Sequence, residues 1–152
     1  MLRLPKKLVV HIGGLIDNGL LERTLRDDHK IPAEVRGLSF SDEKGEQNLD
    51  ASLIEERHAR ADCVTMCFDN LEQAKPFIKA LHDKARENRL VPPPTILVVS
   101  SARKSLALTT SFIEFQKRFP GLKAFHVDEA GNLHTFFASK ISECLKPKSP
   151  SA

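Results

Sequence analysis

Gly14 and Gly19 follow an apolar run, Leu8-Val9-Val10-His11-Ile12, with the spacing of the phosphate-cradling loop GxxxxGK[ST]. In that loop main-chain N–H groups hold the phosphates, the lysine neutralises them and the hydroxyl residue holds Mg²⁺. Here Leu20 stands at the lysine position and Leu21 at the hydroxyl position. A nucleotide site without both side chains can keep its shape without its chemistry. The expectation is a scaffold with no cofactor, no metal and no catalytic residue.

The other reactive residue types offer less. His11, Asp69 and Ser101 can meet at one sheet edge as a Ser/His/Asp set, but Ser101 lacks the G-x-S-x-G elbow that exposes a nucleophile. The remaining histidines are scattered, and none has HxxxH or CxxC ligand spacing. Three cysteines, an odd number, argue against a disulfide framework. Cys63 and Cys67 fall in one expected strand, about 13 Å apart at ~3.3 Å per residue, too far for a mutual disulfide. Both read as small buried hydrophobes in a reducing compartment.

The elements that must position these residues alternate. Apolar runs at Leu8–Gly13, Val35–Phe40, Cys63–Phe68, Thr95–Ser100 and Lys123–Val127 read as strands. The third and fourth are nearly continuous, as in central parallel strands covered on both faces. Between them the period becomes helical. Leu20, Leu21, Thr24 and Leu25 make one face, and Leu71, Ala74, Phe77, Ile78, Leu81 and Ala85 another. Phe112, Phe115 and Phe119 make a third, and Leu133, Phe136, Phe137, Ile141 and Leu145 a fourth. A weaker helical segment runs from Asn48 to Ala61. Strand and helix alternating five times predict right-handed crossovers and a three-layer, doubly wound, mostly parallel five-stranded sheet, P-loop- or flavodoxin-like. Its ligand edge lies beyond the carboxyl ends of the strands.

Read along that edge, the chain resembles the Ras-like small GTPases. Ala61-Asp62 leading through Cys63–Phe68 to Asp69 is similar to the family's central strand, and Pro94–Ser101 to the strand before its guanine-reading motif. Asp42-Glu43-Lys44-Gly45 matches DxxG. The departures are as informative. The NKxD motif falls at Ser101-Ala102-Arg103-Lys104, which puts the cation Lys104 where a carboxylate reads guanine. Nothing near Asp128-Glu129-Ala130 matches the last guanine loop. Phosphate charge, Mg²⁺ and base recognition each miss a principal group. The resemblance therefore implies a degenerate, pseudo-GTPase domain, with Gly14, Gly19, Leu20, Leu21, Asp42, Gly45 and Lys104 as vestigial loop positions. Cys63 to Lys104 resembles the second GTPase domain of mitochondrial Rho GTPases, and the kinetochore pseudo-GTPase centromere protein M offers a functional parallel. A receiver domain shares the βα alternation. Its acidic pair, phosphorylated aspartate and lysine are replaced here by Gly13-Gly14, Cys67 and Val127-Asp128, so it too would be inactive.

Bulk composition sets the rest. The 152 residues read as one domain over 1–146 with a polar tail at 147–152. A net charge of +3, with acids and bases interleaved, gives no stripe for nucleic acid and no polybasic anchor. No apolar run approaches the ~20 residues of a membrane span, and no secretory leader is evident. The expected setting is cytoplasmic or nuclear. The expected partners are proteins of a multi-subunit complex. With no Trp and no Tyr, Phe and arginines such as Arg57, Arg60, Arg86 and Arg89 must anchor such contacts. A weak, Mg²⁺-independent nucleotide-binding protein and an inactive receiver-like module are the alternatives.

Overall fold

A computed structural model of the chain describes residues 6–13, 16–38, 54–100, 106–127 and 133–145. In chain order the elements are β1 (Lys7–Gly13), α1 (Asn18–His29), β2 (Ala33–Leu38), α2 (Glu56–Ala59), β3 (Cys63–Phe68), α3 (Leu71–Glu87), β4 (Thr95–Val99), α4 (Leu106–Arg118), β5 (Leu122–His126) and α5 (Leu133–Leu145). The five strands form one sheet in the order β2-β1-β3-β4-β5, and every pairing is parallel. This is the doubly wound order 2-1-3-4-5, and the fold is a three-layer α/β sandwich.

Side-chain alternation divides the core between the two faces of the sheet. Val10, Ile12, Val64, Met66, Phe68, Leu97 and Val99 face α2, α3 and α4. Val9, Cys63, Cys67, Ile96 and Val98 face α1 and α5. Every residue of β3 and β4 is buried, which explains their unbroken apolar runs. On the α3 face Phe68 stacks on Phe77 with ring centroids 5.3 Å apart. On the opposite face Phe137 of α5 is fully buried beside Leu21 and Leu25 of α1.

Some boundaries differ from those the sequence predicts. Asp17 caps α1, which begins at Asn18, so Gly19 lies inside the first helical turn and not in a loop. Leu21 and Leu25 are buried while Leu20 is 38% exposed, so Leu20 is not part of the buried face. In the weak segment 48–61, α2 covers only Glu56–Ala59, with Glu55 as its N-cap. Its anchor is Ile54, which is buried against the α3 face; residues 48–53 lie outside the described residues. The second strand begins earlier than expected, at Ala33, and residues 39–40 likewise lie outside.

Candidate functional site

In a doubly wound sheet the ligand crevice opens where neighbouring strands send their helices to opposite faces. Here that point lies between the carboxyl ends of β1 and β3, because α1 covers one face and α3 the other. Three groups of residues define what is described there: Gly13 with Asp17, Asp69 with Asn70, and Ser100.

Gly13 closes the floor of the crevice. Its φ is +111°, and a Cβ built on it would lie 2.2 Å from the carbonyl oxygen of Cys67. Only glycine fits there. Gly19, by contrast, has an ordinary helical backbone, and a Cβ there would meet only the Asp17 carboxylate at 3.4 Å. Of the two described glycines here, Gly13 and Gly19, the local structure requires the one before the motif.

The entrance to α1 is occupied by the chain's own groups. The Asp17 carboxylate accepts from the Leu20 N–H at 3.1 Å, and the Asp17 N–H donates to Nε2 of His134 on α5 at 2.9 Å. A helix N-terminus attracts anions because its first N–H groups are unpaired and its dipole end is positive. Here a carboxylate already fills that role, and it would repel a phosphate. Leu21, at the position of the Mg²⁺-binding hydroxyl, is fully buried and points into the core.

At the end of β3 the polar residues serve α3. Asn70 caps it by accepting from the Gln73 N–H at 2.9 Å, and the Asp69 N–H donates back to the Gln73 side chain at 3.2 Å. Asp62 lies at the opposite end of β3. Its carboxylate accepts from the Leu8 N–H at 2.8 Å, and its own N–H donates to the Leu8 carbonyl, which ties the start of β3 to β1. The aspartate of the family-like Ala61-Asp62 pair is therefore a strand clamp, far from the ligand edge.

Of the Ser/His/Asp set, the two described members, His11 and Asp69, do not meet at the ligand edge. His11 is buried under α5, where Nδ1 and the Thr65 hydroxyl lie 2.8 Å apart and its ring meets Phe137 edge-on. It is a satisfied core histidine inside β1, while Asp69 is exposed beyond the end of β3. Gly14, Asp42, Gly45, Ser101 and Lys104 lie outside the described residues, as do residues 128–130. Among the described residues no group of three His, Cys, Asp or Glu is placed to hold a metal ion. No described helix is long and apolar enough to cross a membrane.

A thiol pair was not visible in the sequence. Cys63, at the amino end of β3, contacts Cys144 near the end of α5. The Cys63 thiol donates to the Val64 carbonyl at 3.9 Å, and its nearness to Cys144, with Lys123 and Lys140 nearby, holds Cys144 down to about 6 against the opposing effect of burial. Cys63 is pushed the other way by the same contact and by its burial. Burial, with the charge of Asp69, pushes Cys67 up to about 11.

No protein-family model matches the chain, and no curated protein matches it. Among solved structures it is similar to the Trp repressor binding protein from Bacillus subtilis, with 16% identity and a TM-score of 0.48, over 93% of this chain and 100% of that one.

Proposed function

We propose that this chain is a non-catalytic α/β interaction module, a Ras-like domain without nucleotide chemistry, that holds other proteins together in a multi-subunit assembly. The observation that carries this reading is the Asp17 carboxylate at the N-terminus of α1, bonded to the Leu20 N–H where a phosphate would bind. With leucines at the two charge-handling positions, that terminus offers an anion repulsion and no counter-charge. The fold then has stable helix faces and edges to offer, and no reaction to perform.

Calorimetric titration of GTP, GDP and ATP with Mg²⁺ tests it, together with affinity purification from native cells. The expected result is no dissociation constant below about 1 μM, equivalent to ~8 kcal/mol, and recovery of a stoichiometric protein complex. Tight binding of any of the three nucleotides would overturn the reading in favour of an atypical nucleotide-binding protein. The strand order β2-β1-β3-β4-β5 favours a second ancestry, since receiver domains share it. An inactive receiver would work in the same way, through partners.

A further inference from the structure

A groove of about 600 Å³ lies at the far end of the molecule from the strand-end crevice, between the carboxyl-terminal half of α3, the turn after it and the end of α4. Its charges are unbalanced. Lys79, Arg86, Arg89 and Arg118 line it with a single acid, Asp83. Lys79 and Arg86 share that one carboxylate. Arg118 lays its guanidinium over the Phe119 ring, 5.5 Å from the centroid, and Arg89 makes no ion pair with a described residue. The wall is apolar: Phe119, met edge-on by His82, with Leu90 and Pro92.

Arg89 adds a second observation. Its N–H donates to the Arg86 carbonyl, and the Leu90 N–H reaches back to the Ala85 carbonyl at 2.8 Å. That pair of bonds is the helix-ending turn whose left-handed position normally takes glycine. Arg89 occupies it with φ +57°. A side chain at a glycine position costs stability, so a gain elsewhere is implied. Here that side chain is a cation on the rim of the groove with no ion pair to a described residue.

We propose that this groove binds an acidic peptide segment of a partner protein, with its carboxylates on Arg86, Arg89 and Arg118 and an apolar side chain against Leu90 and Pro92. The proposal rests on the interaction-module reading and names its contact face. The volume far exceeds that of a single inorganic anion. The cations cluster at one end of two helices and do not form the long stripe that a nucleic-acid backbone needs. Phe119 is only 9% exposed, so it offers no stacking platform for bases.

The test is fluorescence anisotropy with a short labelled peptide alternating glutamate and leucine. The controls are the matching lysine–leucine peptide, a single-stranded oligonucleotide and inorganic phosphate. The acidic peptide should bind, and binding should weaken as salt rises above about 0.15 M. Arg89→Gly suits the left-handed turn, so it should melt no lower than wild type while weakening the peptide by about fivefold. Arg118→Glu should weaken it further. Equal binding of the basic peptide, tighter binding of the oligonucleotide, or full affinity in Arg89→Gly would each overturn the proposal. A silent peptide with native partners still co-purifying would sink the groove and leave the module reading standing. Tight GTP binding with the peptide result intact would do the reverse.

Discussion

Gly13 and Cys67 pair across β1 and β3 so closely that a Cβ on Gly13 would sit 2.2 Å from the Cys67 carbonyl oxygen. The crevice between these strands is therefore closed at its base by main chain against main chain. The loop to α1 starts from a fixed, left-handed point and ends on the Asp17 cap, which His134 of α5 holds from the side. The Leu20 N–H at the entrance to α1 is thus satisfied by the chain's own Asp17.

Gly13→Ala and Gly19→Ala should consequently move stability in opposite directions. The first forces a Cβ into a carbonyl at a positive φ and should cost about 2–4 kcal/mol. The second replaces a helical glycine and should contribute about 0.5–1 kcal/mol. Urea unfolding of both variants measures this. A harmless Gly13→Ala, or a Gly19→Ala as damaging as it, would place the structural glycine inside the phosphate-loop motif after all.

How much of this could be seen in the sequence depends on whether the signal was local. The bounds of β3 were legible because Cys63–Phe68 is an uninterrupted apolar run, and the buried face of α3 because its apolar residues keep a helical period. The start of α1 carries a local signal that the glycine spacing overlaps: an aspartate ahead of Leu20 and Leu21 is an N-cap pattern, and Asp17 is that cap. The pairs His11–Thr65, Asp17–His134 and Cys63–Cys144 were not legible, because each joins residues that only the finished sheet brings together. The basic groove was half visible. Arg86 and Arg89 were candidate anchors, but their convergence with Arg118 depends on how α4 crosses α3.

Val98→Asp should unfold the domain. Val98 is fully buried in β4, between Cys67 of β3 and Phe125 of β5, on the face covered by α5. A carboxylate there has no partner and costs several kcal/mol, out of a total stability of ~5–15 kcal/mol. Circular dichroism and gel filtration are the measurements. A folded, monodisperse Val98→Asp protein would mean that β4 is not an interior strand.

Acidification should destabilise the protein below the ordinary histidine range. Burial, aided by the charge of Arg57, lowers the pKa of His58, and burial also lowers that of His82. The unfolded chain therefore binds protons at a higher pH than the native one, and stability rises with pH across that window. It is fully present above about 6.5 and is lost as pH falls beneath it. At His58 the cause is also geometric, because Nδ1 accepts from the Glu55 N–H at 2.8 Å and a proton there would break the cap of α2. Melting curves between neutral and mildly acid pH should show the loss. His58→Gln keeps an acceptor and has nothing to titrate, so it should flatten part of the slope, and His82→Gln another part. An unchanged slope in the double variant would assign the effect to other groups.

Cys144 should be the reactive thiol of the chain at neutral pH. The thiolate is the nucleophile, and Cys144 is held down to about 6 by the neighbouring Cys63 thiol and by Lys123 and Lys140. It is also partly exposed, whereas Cys63 and Cys67 are buried and are pushed up. Brief iodoacetamide treatment of the native protein, read by peptide mass mapping, should therefore label Cys144 first. The rate should fall as the pH drops below its titration point. Cys63→Ala removes the neighbouring thiol and should shift that profile upward toward the ordinary thiol value of about 8.5. The shift separates two explanations that exposure alone would merge. If Cys144 reacts fastest merely because it is accessible, its pH profile will be the same in Cys63→Ala as in the wild type, and the thiol pair joining β3 to α5 does not act on its ionisation.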